Sequence, residues 1–372
     1  MTIAVNACFL PGSFPDSGGH FIITGFTSLA AQFPEHQFIF ITDKALAFTF
    51  PAVKNCSTIV IGPEVKTPLR LRYWLNYKVP ALLVQHKADV FVTNSVCALR
   101  TKIPQCLLMN DLSFLQAQNG MVKNWNRFFK NNTGKFLQKA SSVAVSTQVL
   151  KQQLISRYAV KDDAIVLVYK NAHPLFQPVE WQQKEAVKEQ YAAGKEYFLY
   201  SGNISTSQNL INLLKAFSFF KKRQKSNMQL VIAGTGSCED AFSKSLSLYK
   251  YKTDVQLLEQ TTMETLTVIT AGAYAVVHPG VDECFSTAAV EAMQSGVPLI
   301  GSNTGSLLEI CGEAAMYFNP TDFNDIADKM MLVFKDEDKR NELIAKGLEQ
   351  AKIFSRQHST TQLWQAVLHA IK

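Results

Sequence analysis

The chain has 372 residues, 47% of them hydrophobic and 18% charged, a globular composition that is neither disordered nor fibrous. Its 37 Lys and Arg against 30 Asp and Glu leave a net charge of +7, by itself too mild for a nucleic-acid binder. Seven cysteines without a CxxC pair argue against a disulfide framework and a zinc knuckle. No apolar run approaches the ~20 residues that span a bilayer. The opening MTIAVNACFLPGSFPDSGG carries no Lys or Arg ahead of its apolar stretch and does not read as a secretory signal. These features predict a cytoplasmic protein, and its length predicts two domains of roughly 150–200 residues.

In chain order, an apolar strand runs from Ile3 to about Leu10, followed by a Pro/Gly/Ser loop over 11–19. An amphipathic run then reaches Phe33, and HQFIFIT is a second strand. Strand, loop, helix and strand in this order open a Rossmann-like sheet. Further strands are expected at 57–61, 89–93, 104–109, 142–146 and 164–169, with helical patterns at 72–86, 123–139 and 147–158. Residues 171–196, with Pro174, Pro178 and a polar stretch, break the rhythm and predict a domain boundary. The alternation restarts with EYFLYSG (196–202), the helical NLINLLKAFSFFKKRQ and the strand MQLVIAGTG; DVQLLEQ, AYAVVHPG and VPLIGS continue the strands, and helical patterns close the chain. The expectation is an α/β chain with two Rossmann-like doubly wound domains facing across a cleft, over 1–175 and 190–355. Ligands of such sheets bind beyond the carboxyl ends of the strands.

Charge divides unevenly. Residues 1–180 hold 18 Lys and Arg against 9 Asp and Glu, a net of +9, whereas 181–372 hold 19 against 21, a net of −2. A scattered solvated surface fits this asymmetry, and so does a face for an acidic partner or an anionic membrane. Trp74 and Tyr77, flanked by Arg70, Arg72 and Lys78 in RLRYWLNYKVP, fit core packing, an acceptor site or an interfacial surface.

The stretch richest in chemistry is HPGVDECFSTAAVEAMQSGVPLIGSNTGSLLEI, residues 278–310. A strand ends at His278, a loop carries Glu283, and a helix begins near Ser286 and Thr287, both good N-caps. The unpaired N–H groups and positive dipole of such a helix start form a phosphate site. Glu283 and Glu291 bracket it and can accept hydrogen bonds from sugar and ribose hydroxyls. Residue chemistry alone thus suggests a nucleotide-sugar pocket. A structural role for His278 at its strand end, and a dipole-complementing role for Glu283, fit the same residues.

The order of His-Pro, Glu, seven residues, Glu, Ala-Met and Gly-Val-Pro resembles the signature of retaining glycosyltransferase family 4, also called glycosyl transferase group 1, whose members have the GT-B fold. Gly18-Gly19, NDLSF (110–114), AVSTQVLKQQLISRYAV, VYKNAHPLFQP, YSGN and IAGTG extend the resemblance through nearly the whole chain in order. It implies a first, acceptor-side domain, a second, donor domain, and a last helix within 356–372 crossing back to the first. It implies that Glu283 meets the donor sugar and Glu291 the ribose. The amides around Phe285, Ser286 and Thr287 would meet the diphosphate or sugar, and Gly18 and Gly19 would let the backbone approach the leaving phosphate. No catalytic metal or resident cofactor is implied; the nucleotide-diphosphate sugar is a substrate. The partners implied are that nucleotide sugar and a glycan, lipid-linked or small-molecule acceptor; the basic first half adds contact with an anionic membrane, and the mild net charge excludes nucleic acid.

Three departures from the family pattern bear on activity. Asn203 and Gln208 stand where the family has an Arg and a Lys on the donor diphosphate, so the charge-assisted part of that interaction is lost. Asn110 replaces the His ahead of Asp111 and cannot transfer a proton at neutral pH. Cys284 and Ser286 replace glycines beside Phe285. Lys170 and His20 are alternative cations. Two functions follow: an active transferase whose diphosphate is held by the helix start and other cations, or a catalytically silent sugar- or nucleotide-binding or partner protein on the same scaffold.

Overall fold

The computed structural model describes residues 1–8, 17–45, 53–115, 123–204, 208–235, 240–281 and 284–372. They form two compact units, Met1–Lys170 with Arg356–Lys372, and Asn171–Ser355.

The first unit runs through β1 (Thr2–Asn6), α1 (Ser17–Gln32), β2 (Gln37–Thr42), β3 (Cys56–Val60), α2 (Pro68–Tyr73) and α3 (Val79–Gln85). It continues with β4 (Val90–Asn94), β5 (Gln105–Met109), α4 (Lys123–Lys139), β6 (Ser142–Val145), α5 (Gln148–Tyr158) and β7 (Ile165–Leu167). Among the described residues its parallel sheet has the order β3-β2-β1-β4-β5-β6-β7. The central strands are buried on both faces, so they read as continuous apolar runs such as IAV and VFV. Thr67 and Thr147 cap α2 and α5 by accepting the N–H groups of Arg70 and Leu150.

The second unit holds α6 (Trp181–Ala192), β8 (Tyr197–Asn203), α7 (Leu210–Gln224), β9 (Gln229–Thr235), α8 (Asp240–Ser247), β10 (Val255–Glu259) and α9 (Met263–Gly272). After these come β11 (Ala275–His278), α10 (Thr287–Gln294), β12 (Leu299–Ser302), α11 (Gly305–Cys311), β13 (Ala315–Phe318), α12 (Phe323–Lys335) and α13 (Glu337–Ala351). Its parallel sheet runs β10-β9-β8-β11-β12-β13. Helix α14 (Arg356–Ile371) then returns to the first unit. There Leu363, Ala366, Val367 and Ala370 join the core of Ile3, Val5, Phe26, Phe38 and Val92. A Cβ on Gly25 of α1 would lie 2.9 Å from Leu363 Cδ2, so glycine here gives the Leu363 side chain its room.

Several elements differ from expectation. The first strand ends at Asn6, and α1 begins at Ser17, so Gly18 and Gly19 occupy its first turn and not the loop. A first turn tolerates glycine because its N–H groups have no intrahelical partner. The helix expected over 72–86 starts at Pro68, a residue suited to the first helical position, and contains a π-turn at Trp74–Lys78. The polar stretch after Pro178 contains α6, whose inward residues include the buried Lys188, held by Glu185 and Glu196 at 2.8 and 2.5 Å. An ionic anchor of this kind leaves no apolar stripe to read. Strand β13 follows directly on helix-like sequence, and its Ala-Met start, made of strong helix formers, continues that pattern.

Candidate functional site

In both sheets the strand order reverses at one point, between β1 and β4 in the first unit and between β8 and β11 in the second. The carboxyl edge at such a point is where open α/β sheets take ligands.

In the first unit this edge is a run of amides. Asn6 at the end of β1 donates from Nδ2 to Thr93 Oγ1 at 3.1 Å and accepts the Cys8 N–H at 3.0 Å. Asn94 closes β4, and its Oδ1 accepts from Asn110 Nδ2 at 2.8 Å and from Ser95 Oγ at 3.2 Å. Asn110 and Asp111 follow β5 and are half-buried, so the amide at 110 is fixed by its neighbour's side chain. Gly18 and Gly19 open α1 on the chain that leaves β1. Asn6, Thr93 and Asn94 are not among the residues picked out from sequence. Their signal is an asparagine or threonine closing an apolar strand, which also marks ordinary turns.

The edge of the second unit is built more tightly. Strand β8 ends at Gly202 and Asn203, paired with Gly234 and Thr235 of β9. A Cβ on Gly234 would fall 1.7 Å from the Gly202 carbonyl oxygen. Gly202 itself has φ of +149°, where a side chain is strained. The buried Tyr200 turns its hydroxyl back to donate to the Asn203 carbonyl at 2.8 Å, fixing that strand end. Its ring lies parallel to the His278 imidazole, with centroids 6.4 Å apart. His278, buried at the end of β11, meets Ser286 Oγ through Nε2 at 3.3 Å.

Ser286 serves two partners, since its Oγ also accepts the Ala289 N–H at 3.3 Å as the N-cap of α10. The amides of Thr287 and Ala288 stand ahead of Ala289 in the first turn, where the helix dipole favours an anion. Phe285 packs edge-on against Phe354 at 5.9 Å. Glu291 lies further along α10; it is partly exposed as a residue, but its carboxyl is surrounded by protein, and desolvation raises its pKa to about 7. Ser302 Oγ donates to the Gly280 carbonyl at 2.5 Å, which ties β12 to the segment after His278. Glu283 lies outside the described residues, as does the side chain of His20.

Helix α7 begins beside the same edge. Asn203 is exposed, and Gln208 is half-buried with an Oε1 that is inaccessible and has no partner among the described residues. Asn209 carries no signal in the local sequence. It has a left-handed φ of +59°, a conformation asparagine tolerates, and its Nδ2 donates to the carbonyls of Pro279 at 3.2 Å and Pro320 at 2.8 Å. One amide thus joins the start of α7 to the chain leaving β11 and β13. Lys170 is buried at the end of the first unit's long segment. The structure therefore brings Asn203, Gln208, Ser286, Thr287 and Glu291 onto one unit and Gly18, Gly19, Asn110 and Asp111 onto the other.

Residues 182–350 match the family described as Glycosyl transferases group 1. The matched segment lies within the second unit. It is 26% identical over 255 residues to O-antigen chain mannosyltransferase B of Escherichia coli, covering 68% of this chain and 67% of that one. Larger mannosyltransferase relatives are matched over only 32% of their own length. Among solved structures, it resembles sucrose-phosphate synthase from Thermosynechococcus elongatus with a TM-score of 0.79, at 18% identity and covering 98% of both chains. It also resembles Anabaena Alr3699/HepE, solved with UDP and glucose, with a TM-score of 0.75, at 13% identity and covering 98% of both chains. Two parallel Rossmann-like units together with these neighbours give the fold as GT-B.

Proposed function

We propose that this group 1 glycosyltransferase moves a hexosyl residue, mannosyl by kinship with the O-antigen enzyme, from a nucleotide-diphosphate sugar to a glycan, lipid-linked or small-molecule acceptor. The reaction proceeds with retention of configuration and without a catalytic metal. The observation that carries this reading is the start of α10 at the β8/β11 edge of the family-matched segment: Ser286 anchored by His278, first-turn amides beyond it, and Glu291 inside it. The amides of Phe285, Ser286 and Thr287 receive the diphosphate, Glu291 accepts ribose hydroxyls, and Glu283 addresses the donor sugar. Asn203 and Gln208 contribute amide donors where a charged pair would act. Gly18, Gly19, Asn110 and Asp111 belong to the acceptor-side unit and act on the leaving phosphate and acceptor.

Titration calorimetry with guanosine, uridine and adenosine diphosphates and their sugars tests this, together with release of nucleoside diphosphate in the presence of candidate acceptors. Binding of one donor, weakened at least tenfold in Glu291→Ala, and release abolished in Glu283→Ala are expected. Absence of millimolar binding across the donor panel would overturn the reading. The uncharged Asn203 and Gln208 favour a second outcome, donor binding without release or transfer, which would make the chain a silent sugar-nucleotide binder.

A further inference from the structure

The surplus of positive charge is not spread through the first unit. Between Val65 and Lys161 the chain has 15 Lys and Arg and two acids, Asp89 and Asp111. Two helical segments carry much of it. In α2, the π-turn and α3, Leu71, Trp74, Leu75, Val79, Leu82 and Leu83 are buried. The opposite side exposes Leu69 at 77%, Val84 at 70%, Tyr77 at 52% and Tyr73 at 46%, among Arg70, Arg72 and Lys78. The Tyr73 and Tyr77 rings stack at 5.6 Å, and the Arg100 guanidinium covers Tyr77 at 4.6 Å. Helix α4, which packs against α2, adds Lys123, Arg127, Lys130, Lys135 and Lys139 and no acid. The Lys and Arg ion pairs described in this unit fall on Lys44, Lys66 and Lys151, outside these helices.

We propose that the face made by α2, the π-turn and α4 docks the first unit on an anionic phospholipid surface. Cations without neighbouring acids are drawn to anionic headgroups, and tyrosines settle at the boundary between headgroups and acyl chains. A single-stranded nucleic acid would use the cations and the aromatic rings. It would leave Leu69 and Val84, the two most exposed apolar side chains described in this unit, facing water, whereas a membrane buries them as the apolar side of an interfacial helix. The docking face stands apart from the donor chemistry: it requires neither Glu283 nor Glu291, and it favours an acceptor that is itself held in the membrane.

Flotation of the full chain with phosphatidylcholine vesicles, with and without phosphatidylglycerol, tests the docking face. At low salt the chain rises with the anionic vesicles and stays behind with the neutral ones, and raising the salt releases it. R70Q/R72Q/K78Q weakens partitioning on the order of a hundredfold. K130Q/K135Q weakens it less, and L69S/Y73S removes the part that survives high salt. K339Q/K346Q in the second unit leaves flotation unchanged, and circular dichroism and nucleotide binding verify that each variant is folded. No flotation with anionic vesicles, flotation unaltered in the α2 and α4 variants, or tighter binding to a single-stranded oligonucleotide than to vesicles would each overturn the proposal. Vesicle binding without binding of any sugar nucleotide would leave the docking face standing and remove the transferase reading.

Discussion

The two units differ most in what their charges are for. The first unit has 20 Lys and Arg against 8 Asp and Glu, the second 17 against 22. In the second, cations are spent locally. Lys188 bridges Glu185 and Glu196, the buried Lys221 meets Asp254 at 3.0 Å, and Lys346 joins Glu342 and Glu313. In the first, the cations of α2 and α4 have few acids of their own unit to answer them. A charge answered within its unit is part of the fold; one left facing outward serves an encounter. The same contrast divides the candidate sites, since the second unit's strand ends are locked by glycine contacts and a capped helix, while the first unit's edge is linked by side-chain amides.

The largest effect is expected from Gly234→Ala. The new Cβ would meet a backbone oxygen at 1.7 Å, where no rotamer offers relief, and equilibrium denaturation should show a loss of at least ~3 kcal/mol. A near-neutral result would mean that the second unit's edge is no tighter than the first's.

Glu291→Gln comes next and is read through pH. The native carboxyl titrates near 7 against an ordinary value of 4.5, so between those limits the native state holds more protons than the unfolded chain. Its contribution to stability is then full below about 4.5, is lost as pH rises, and levels off above about 7. The variant should remove that slope and gain on the order of 3 kcal/mol above pH 7, with no gain in acid. A parallel slope in both proteins would place the titration elsewhere.

Lys188→Ala should cost ~1–2 kcal/mol, moderated because Glu185 and Glu196 are themselves partly exposed. Arg72→Gln and Lys78→Gln should each change stability by less than ~0.5 kcal/mol. Equal losses at Lys188 and Arg72 in thermal melts would erase the distinction between folding charges and outward ones.

Much of the fold is legible because parallel strands buried on both faces are written as short apolar runs, as in IAV, VFV and LVIA. The helix start at Ser286 and Thr287 is legible because a capping hydroxyl ahead of Ala-Ala-Val is a local signal, and Ser286 does cap α10. Helix α6 is hidden because its buried face includes a lysine, and β13 because its Ala-Met start, made of strong helix formers, continues the preceding helical pattern. Asn209 is illegible for a different reason. Its partners, Pro279 and Pro320, are 70 and 111 residues away, and nothing in the local sequence records that two distant carbonyls converge on one amide. The Tyr200–His278–Ser286 arrangement shares this character, since it depends on β8 and β11 being neighbours in the sheet.

Helix α14 carries a consequence for how the protein is born. The first unit takes its last core helix from Arg356 onward, after the whole of the second unit has been synthesised. On the ribosome, Ile3, Phe26 and Val92 must wait with part of their core uncovered while residues 171–355 emerge and fold. The second unit, contiguous in sequence, can close first. The order of assembly is thereby inverted relative to the order of synthesis, and the unit made first is the last to be sealed.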